Sequence, residues 1–89
     1  MSLNRYAART DSTQAAIIKA LEKVGATVWK IKWPVDLLVF YMGLLYGVEC
    51  KRDDKAKLTK DQQEFFRVSG AMAVRASTDE EALRGIGAI

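Results

Sequence analysis

Two dense apolar runs, broken only at Met42-Gly43, constrain this chain more than any other feature. The first, Val35–Tyr41, carries a single carboxylate, Asp36, and the second, Leu44–Lys51, closes on Glu49, Cys50 and Lys51. Short runs on either side of a glycine read as the strands of a β-hairpin, although Met-Gly is a weaker turn signal than Asn-Gly. A two-residue turn centred between Met42 and Gly43 sets Asp36 directly opposite Glu49. Lys51 shares their side of the sheet, because strand side chains alternate with period two. A three-residue loop would shift the pairing by one and spoil the opposition.

Apolar residues at Ile17, Ile18, Leu21 and Val24 predict an amphipathic helix over 12–24, with Asp11, Ser12 and Thr13 as cap oxygens and Gly25 as its stop. Residues 1–10 read as a polar, irregular arm. Ala26–Lys32 alternates as a half-exposed strand, which Pro34 ends. After the hairpin comes a charged loop, Arg52–Lys57. Thr59 and Gln62 then form a capping-box pattern ahead of a helix with Phe65, Phe66 and Val68 on its apolar side and Gly70 at its end. Ala71–Ala76 reads as a further strand, and Ser77 or Thr78 caps a last helix containing Leu83 and Ile86. The order α-β-β-β-α-β-α predicts an α/β fold, a mixed sheet flanked by helices. Its closing β-α-β unit should be a right-handed parallel crossover.

At 89 residues, 49% hydrophobic and 28% charged, the chain suits one globular domain over 1–89. So short a chain has a thin core, and homodimerisation is a common remedy. A single cysteine excludes an intramolecular disulfide, and no apolar run approaches a membrane span. With no signal-peptide pattern either, a cytoplasmic protein is expected. Histidine is absent, which excludes Ser-His-Asp hydrolysis, His-bound zinc and His general bases. Catalysis must then rest on carboxylates, lysines or a hard cation. A net charge of +3 and a pI of about 9.2 suit a polyanionic partner, and plain solubility equally well.

A carboxylate inside an apolar strand gains nothing for folding unless it has a partner. Two directly opposed carboxylates destabilise a sheet, and a divalent cation such as Mg²⁺ or Mn²⁺ between them would resolve the conflict. With an ammonium alongside, the group matches metal-assisted phosphodiester hydrolysis. Spacing alone leaves a second reading open, in which Asp36 and Lys51 pair at a sheet edge and Glu49 is solvated.

The motif order adds to this. Pro34-Val35-Asp36-Leu37-Leu38-Val39, then Val48-Glu49-Cys50-Lys51, then Leu58-Thr59-Lys60-Asp61-Gln62 resembles the VRR-NUC branch of the PD-(D/E)XK nucleases. More narrowly, the chain resembles the short stand-alone forms encoded by bacteriophages and prophages. The likeness runs from Arg9-Thr10-Asp11 to the last helix. D…ExK alone is a weak pattern; followed by LTxxQ behind an apolar helix it is far more specific. The resemblance implies a restriction-endonuclease-like core. It also implies Asp36 and Glu49 as metal ligands, helped by the main-chain carbonyl of Cys50. Lys51 would orient the attacking water or stabilise phosphate charge. Gln62 matches a glutamine that helps order the site, and it equally completes the capping box. Two departures stand out: Gln14, with Asp11 one turn earlier, falls where many members carry a metal-binding glutamate, and Ile31-Lys32-Trp33 replaces the usual glycine-rich approach.

Cys50 points away from the Glu49/Lys51 side and reads as a buried filler rather than a nucleophile. Trp29, Trp33, Phe65 and Phe66 suit base stacking, or more commonly core and interface. Lys30, Lys32, Arg52, Lys55 and Lys57 suit DNA phosphates or a solvated surface, as do Arg5 and Arg9. The expected function is a homodimeric endonuclease using Mg²⁺ or Mn²⁺ on DNA, with branched substrates such as four-way (Holliday) junctions suggested by the resemblance. Its rivals are a nicking or flap nuclease, a non-catalytic module binding branched nucleic acid on the same fold, and a structural protein–protein module.

Overall fold

A computed structural model describes residues 2–89, with side chains from residue 12 onward. The elements are α1 (Ser2–Lys23), β1 (Thr27–Lys30), β2 (Leu37–Tyr41), β3 (Leu44–Cys50), α2 (Lys60–Ser69), β4 (Ala73–Ala76) and α3 (Asp79–Gly85), with a 3-10 turn at Gly70–Met72 ahead of β4. The strands form one mixed sheet in the order β1-β2-β3-β4, antiparallel throughout except for the parallel β3–β4 pair. This is the expected α/β order.

The turn joining β2 to β3 has positive φ at both central residues, 53° at Met42 and 80° at Gly43. That geometry matches the right-handed twist of the flanking strands and closes a two-residue hairpin. The pairing runs from Tyr41↔Leu44 to Leu37↔Val48, the register that a turn centred between Met42 and Gly43 requires. β2 itself begins at Leu37, one residue later than Asp36. Asp36 closes the preceding loop: its carbonyl accepts the Ile31 N–H at 2.8 Å, around a cis Trp33–Pro34 peptide.

Helix α1 departs from the sequence expectation at its start. Residues 2–10, expected as an irregular arm, are helical. Ala7, Ala8 and the arginines are good helix formers with no glycine or proline among them, so the helix passes through Asp11-Ser12-Thr13 instead of starting there. Its end follows the expected stop. Gly25, at φ 95°, donates its N–H to Glu22 O at 3.0 Å, and Ala26 N–H reaches Leu21 O at 3.1 Å. This is the paired Schellman arrangement, which leaves Leu21 and Ala26 buried together.

Three smaller features also differ from the expectation. β1 stops at Lys30 rather than Lys32, and Val28 rather than Trp29 packs on the core, leaving Trp29 53% exposed. β4 begins at Ala73, because residues 70–72 wind into the 3-10 turn. On α2, Phe65 and Phe66 are half-buried but Val68 is exposed.

The core lies on one side of the sheet, where Leu37, Val39, Tyr46, Val48, Val74 and Ala76 meet Ile17 and Leu21 of α1 and Ala82 and Ile86 at α3. Tyr46 keeps its hydroxyl satisfied there by donating to Ile86 O at 3.2 Å. Helix α2 packs on the opposite side, where Gly47 leaves the strand open beneath Phe65. A methyl group at Gly47 would overlap Phe65 Cζ and stand 2.6 Å from Cε2. One at Gly85 would overlap Val74 Cγ1 and stand 3.0 Å from Cγ2. Both Gly47→Ala and Gly85→Ala are expected to destabilise the fold by about 1–3 kcal/mol, as overpacking does. Gly85→Ala should cost more in urea unfolding, because branched, buried Val74 has less room to give than the edge of the Phe65 ring.

Candidate functional site

Continuing the β2–β3 register by one step past Leu37↔Val48 brings Asp36 opposite Glu49. The Asp36 carboxylate closes this gap through the backbone, its Oδ2 accepting the Cys50 N–H at 2.9 Å. Lys51 is held in line with β3 because its own N–H donates to Ala76 O at 2.9 Å, extending the β3–β4 pairing by one residue. Its side chain therefore lies on the Glu49 side of the sheet, and Lys51 Nζ stands 3.2 Å from Glu49 Oε2. Asp36, Glu49 and Lys51, expected together from spacing, are brought together.

Glu49 is buried, only 4% exposed. Of its two oxygens, Oε2 faces Lys51, while Oε1 is buried with no hydrogen-bond partner. The alternative in which Asp36 pairs with Lys51 and Glu49 is solvated is thus not what forms. Burial raises the Glu49 carboxyl above its ordinary value, and the negative charge of Asp36 raises it further, with Lys51 only partly opposing them. A second positive charge would relieve this strain. The donors fit a hard divalent cation: two carboxylates converge, one oxygen is buried and unpartnered, and no soft or histidine ligand stands by. Asp36, Glu49 and the adjoining Cys50 carbonyl are the groups that could hold it. Among the described residues no group of three or more cysteines or acids is placed to hold a metal ion.

The remaining residues divide clearly. Gln14 is buried at 8% exposure on the α1 stripe that continues through Ile17 and Leu21, and the Asp11 side chain lies outside the described residues, as do those of Arg5 and Arg9. Gln62 forms the expected capping box: its amide oxygen accepts the Thr59 N–H at 3.0 Å, and its own N–H donates to Thr59 Oγ1 at 3.2 Å. The hydrogen bonds of Gln62 thus run to the helix cap rather than to the carboxylates. Cys50 packs against the core, and burial, then Asp36 and Glu49, push its thiol up to about 12, so it stays protonated and unreactive. Lys30, Lys32, Arg52, Lys55 and Lys57 are all exposed.

Two features escaped the sequence reading. Arg75, paired with Glu49 across the parallel strands, reaches the charged loop and donates to Asp53 O at 2.9 Å and Ala56 O at 2.5 Å. Within that loop Asp53 Oδ1 accepts the N–H groups of Lys55 and Ala56, making a tight turn. An arginine on the outward pleat of a short strand was the available signal for this anchor. The other is a bond from Trp33 Nε1 to Asp61 Oδ2 at 2.9 Å, which ties the loop before Asp36 to the first turn of α2.

No protein-family model matches the chain, and comparisons with curated proteins and with solved structures return no match.

The raised Glu49 carboxyl carries a stability consequence with a definite sign. A folded-state value above the unfolded one adds stability below the unfolded value of roughly 4.3, and that stability is lost as pH rises through the folded value. In EDTA, Glu49→Gln should therefore melt at or above the wild-type temperature at pH 8, with the advantage shrinking as the solution is acidified towards pH 4. Added Mg²⁺ or Mn²⁺ should raise the wild-type melting temperature at pH 8 but leave Glu49→Gln little changed.

Proposed function

We propose that this chain is a metal-dependent endodeoxyribonuclease built on a restriction-endonuclease-like core of the VRR-NUC kind. The observation that carries the reading is a buried glutamate, Glu49, with one oxygen on Lys51 and the other unpartnered, facing Asp36 across the hairpin. A carboxylate buried without a full set of partners is costly for folding and is retained where it serves chemistry. The D…ExK spacing supplies that chemistry, and Leu58-Thr59-Lys60-Asp61-Gln62 follows it as in the resemblance.

Mg²⁺ or Mn²⁺, when bound, supplies Lewis-acid polarisation of the phosphodiester and lowers the pKa of water beside it. In this reading Asp36 and Glu49 would hold the ion with the Cys50 carbonyl. Lys51, its ammonium already fixed by Glu49, orients the incoming water and offsets charge building on the phosphate. Gln62 orders the first turn of α2 beside the site. Lys30, Lys32, Arg52, Lys55 and Lys57 offer exposed charge to the DNA backbone, with the Arg52–Lys57 loop steadied by Arg75. Branched DNA such as a four-way junction is the proposed substrate.

A homodimer belongs to the same proposal. On the α2 side of the sheet Trp29, Phe40 and Leu45 remain 53%, 38% and 44% exposed, with Trp29 and Phe40 packed edge to face at 5.1 Å. A face of this kind, left uncovered by α2, suits a self-complementary contact. Light scattering should then report about twice the 9.9 kDa chain mass, and Phe40→Glu should return it to the monomer. A monomeric wild type at working concentration would sink the dimer.

One observation favours a second reading, a non-catalytic module that binds branched DNA: among the described residues two carboxylates, Asp36 and Glu49, meet at the site, and α1 carries Gln14 where the resemblance expects a glutamate. No described helix is long and apolar enough to cross a membrane.

Cleavage of a labelled four-way junction and a matched linear duplex, in Mg²⁺, Mn²⁺ or EDTA, separates these readings. The nuclease predicts metal-dependent cutting of the junction that falls by at least about 100-fold in Lys51→Ala, the scale of losing one charge-stabilising donor. Junction binding with no cutting in either metal selects the binding module. Duplex cut as readily as junction would overturn the branched preference alone.

A further inference from the structure

We infer that Trp33 is a specificity-determining residue that stacks on an unpaired nucleobase next to the phosphate to be cut. The inference rests on the nuclease reading and narrows its substrate to DNA with an unpaired base at the scission point.

Trp33 is 69% exposed, the most exposed aromatic side chain among the described large hydrophobics. An indole left in water at this level contributes little to the core, yet it is not free to swing. Its Nε1–H is held by Asp61 Oδ2 at 2.9 Å, from the first turn of α2. The loop that carries it is closed at its base by the Ile31 N–H to Asp36 O bond at 2.8 Å, and Asp36 is also the carboxylate bound to the Cys50 N–H. Tied at its edge and at both ends of its loop, the ring is held in place while more than half of its surface stays open to solvent. A platform held this way takes a planar partner without the ordering cost of a loose side chain.

The surroundings favour a nucleotide as that partner. Lys32 directly precedes Trp33 and Lys60 directly precedes Asp61, and both are exposed. The Asp61 carboxylate is engaged by the indole edge, and the two lysines add exposed positive charge in the same segments. Every base has a π-face, so such a contact is blind to sequence, but it needs a base outside the duplex stack. Trp33 therefore reads structure: unpaired bases at a branch, gap or flap can reach it, and paired ones cannot. Phe65 and Phe66, by contrast, are half-buried and packed edge to face at 6.1 Å, so they are committed to holding α2.

The test is binding without cutting, with Ca²⁺ in place of Mg²⁺, read by fluorescence anisotropy. A duplex with a one-nucleotide unpaired bulge is compared with the fully paired duplex, for wild type, Trp33→Ala, Trp33→Phe and Asp61→Ala. Stacking predicts that wild type prefers the bulged DNA, and that Trp33→Ala loses about ten-fold of that preference, within the range for one base–aromatic stack. Paired-duplex affinity should stay unchanged, and Trp33→Phe, which keeps a ring face but not the tie to Asp61, should fall between wild type and Trp33→Ala. Asp61→Ala should fall between, since the ring remains but is no longer held. An unchanged preference in Trp33→Ala overturns the inference. So does an equal loss in Trp33→Phe and Trp33→Ala, which would assign the effect to the tie with Asp61 rather than to the ring face. Wild type that binds neither DNA would sink the nuclease reading itself, a result distinct from both.

Discussion

The hydrogen bond from the Cys50 N–H to the Asp36 carboxylate, at 2.9 Å, is the contact on which the rest of the site depends. It takes over where the β2–β3 ladder stops, replacing a backbone acceptor with a side-chain one. Asp36 is thereby fixed at the end of β3 although it lies outside β2, and its main-chain carbonyl at the same time closes the loop through Trp33 and Pro34. One residue thus joins a loop, a strand end and a charged side chain. The turn at Met42-Gly43 makes this possible, since a one-residue slip would send Glu49 to the core side and leave Asp36 facing Val48.

The same geometry has an electrostatic cost that the fold does not cancel. Glu49 is buried beside a second carboxylate, and Lys51 offsets only part of the penalty. Sheets seldom keep opposed acids, because like charges directly across a pair of strands repel. Local conflict of this kind stands out in a chain whose element order otherwise follows its propensities. The core contributes by remaining apolar: Tyr46, Val48 and Cys50 occupy the alternate positions of β3 and leave the polar side chains to the other face.

That other face is unevenly covered. Gly47 admits Phe65 and lets α2 approach closely at the end of the sheet nearest the carboxylates. Farther along, Trp29, Phe40 and Leu45 have nothing over them from α2. Arg75 and Asp61 use the helix side differently, one holding the charged loop and the other holding the indole of Trp33. The Arg52–Lys57 loop and the indole of Trp33 are thus held by hydrogen bonds rather than by burial.

Much of this was legible beforehand because it is local. Period-two alternation, a glycine-bearing turn and a Thr-to-Gln capping box each act within a few residues, so element order, hairpin register and the meeting of Asp36, Glu49 and Lys51 followed from the sequence. The start of α1 did not, because three cap-forming residues in a row compete with a helix that can simply continue through them. The outward turn of Trp29 was hidden for a related reason: a short alternating strand shows two faces but not which one the helices cover. The grip of Arg75 on a loop about twenty residues away, and of Asp61 on Trp33 across 28 positions, needed the chain to be folded. By itself, the sequence determined which residues share a strand face, since that depends only on the alternation of the backbone. Which face is buried, and which distant side chain completes each contact, was decided by the packing of α1, α2 and α3 on the sheet, because burial is a property of the whole fold.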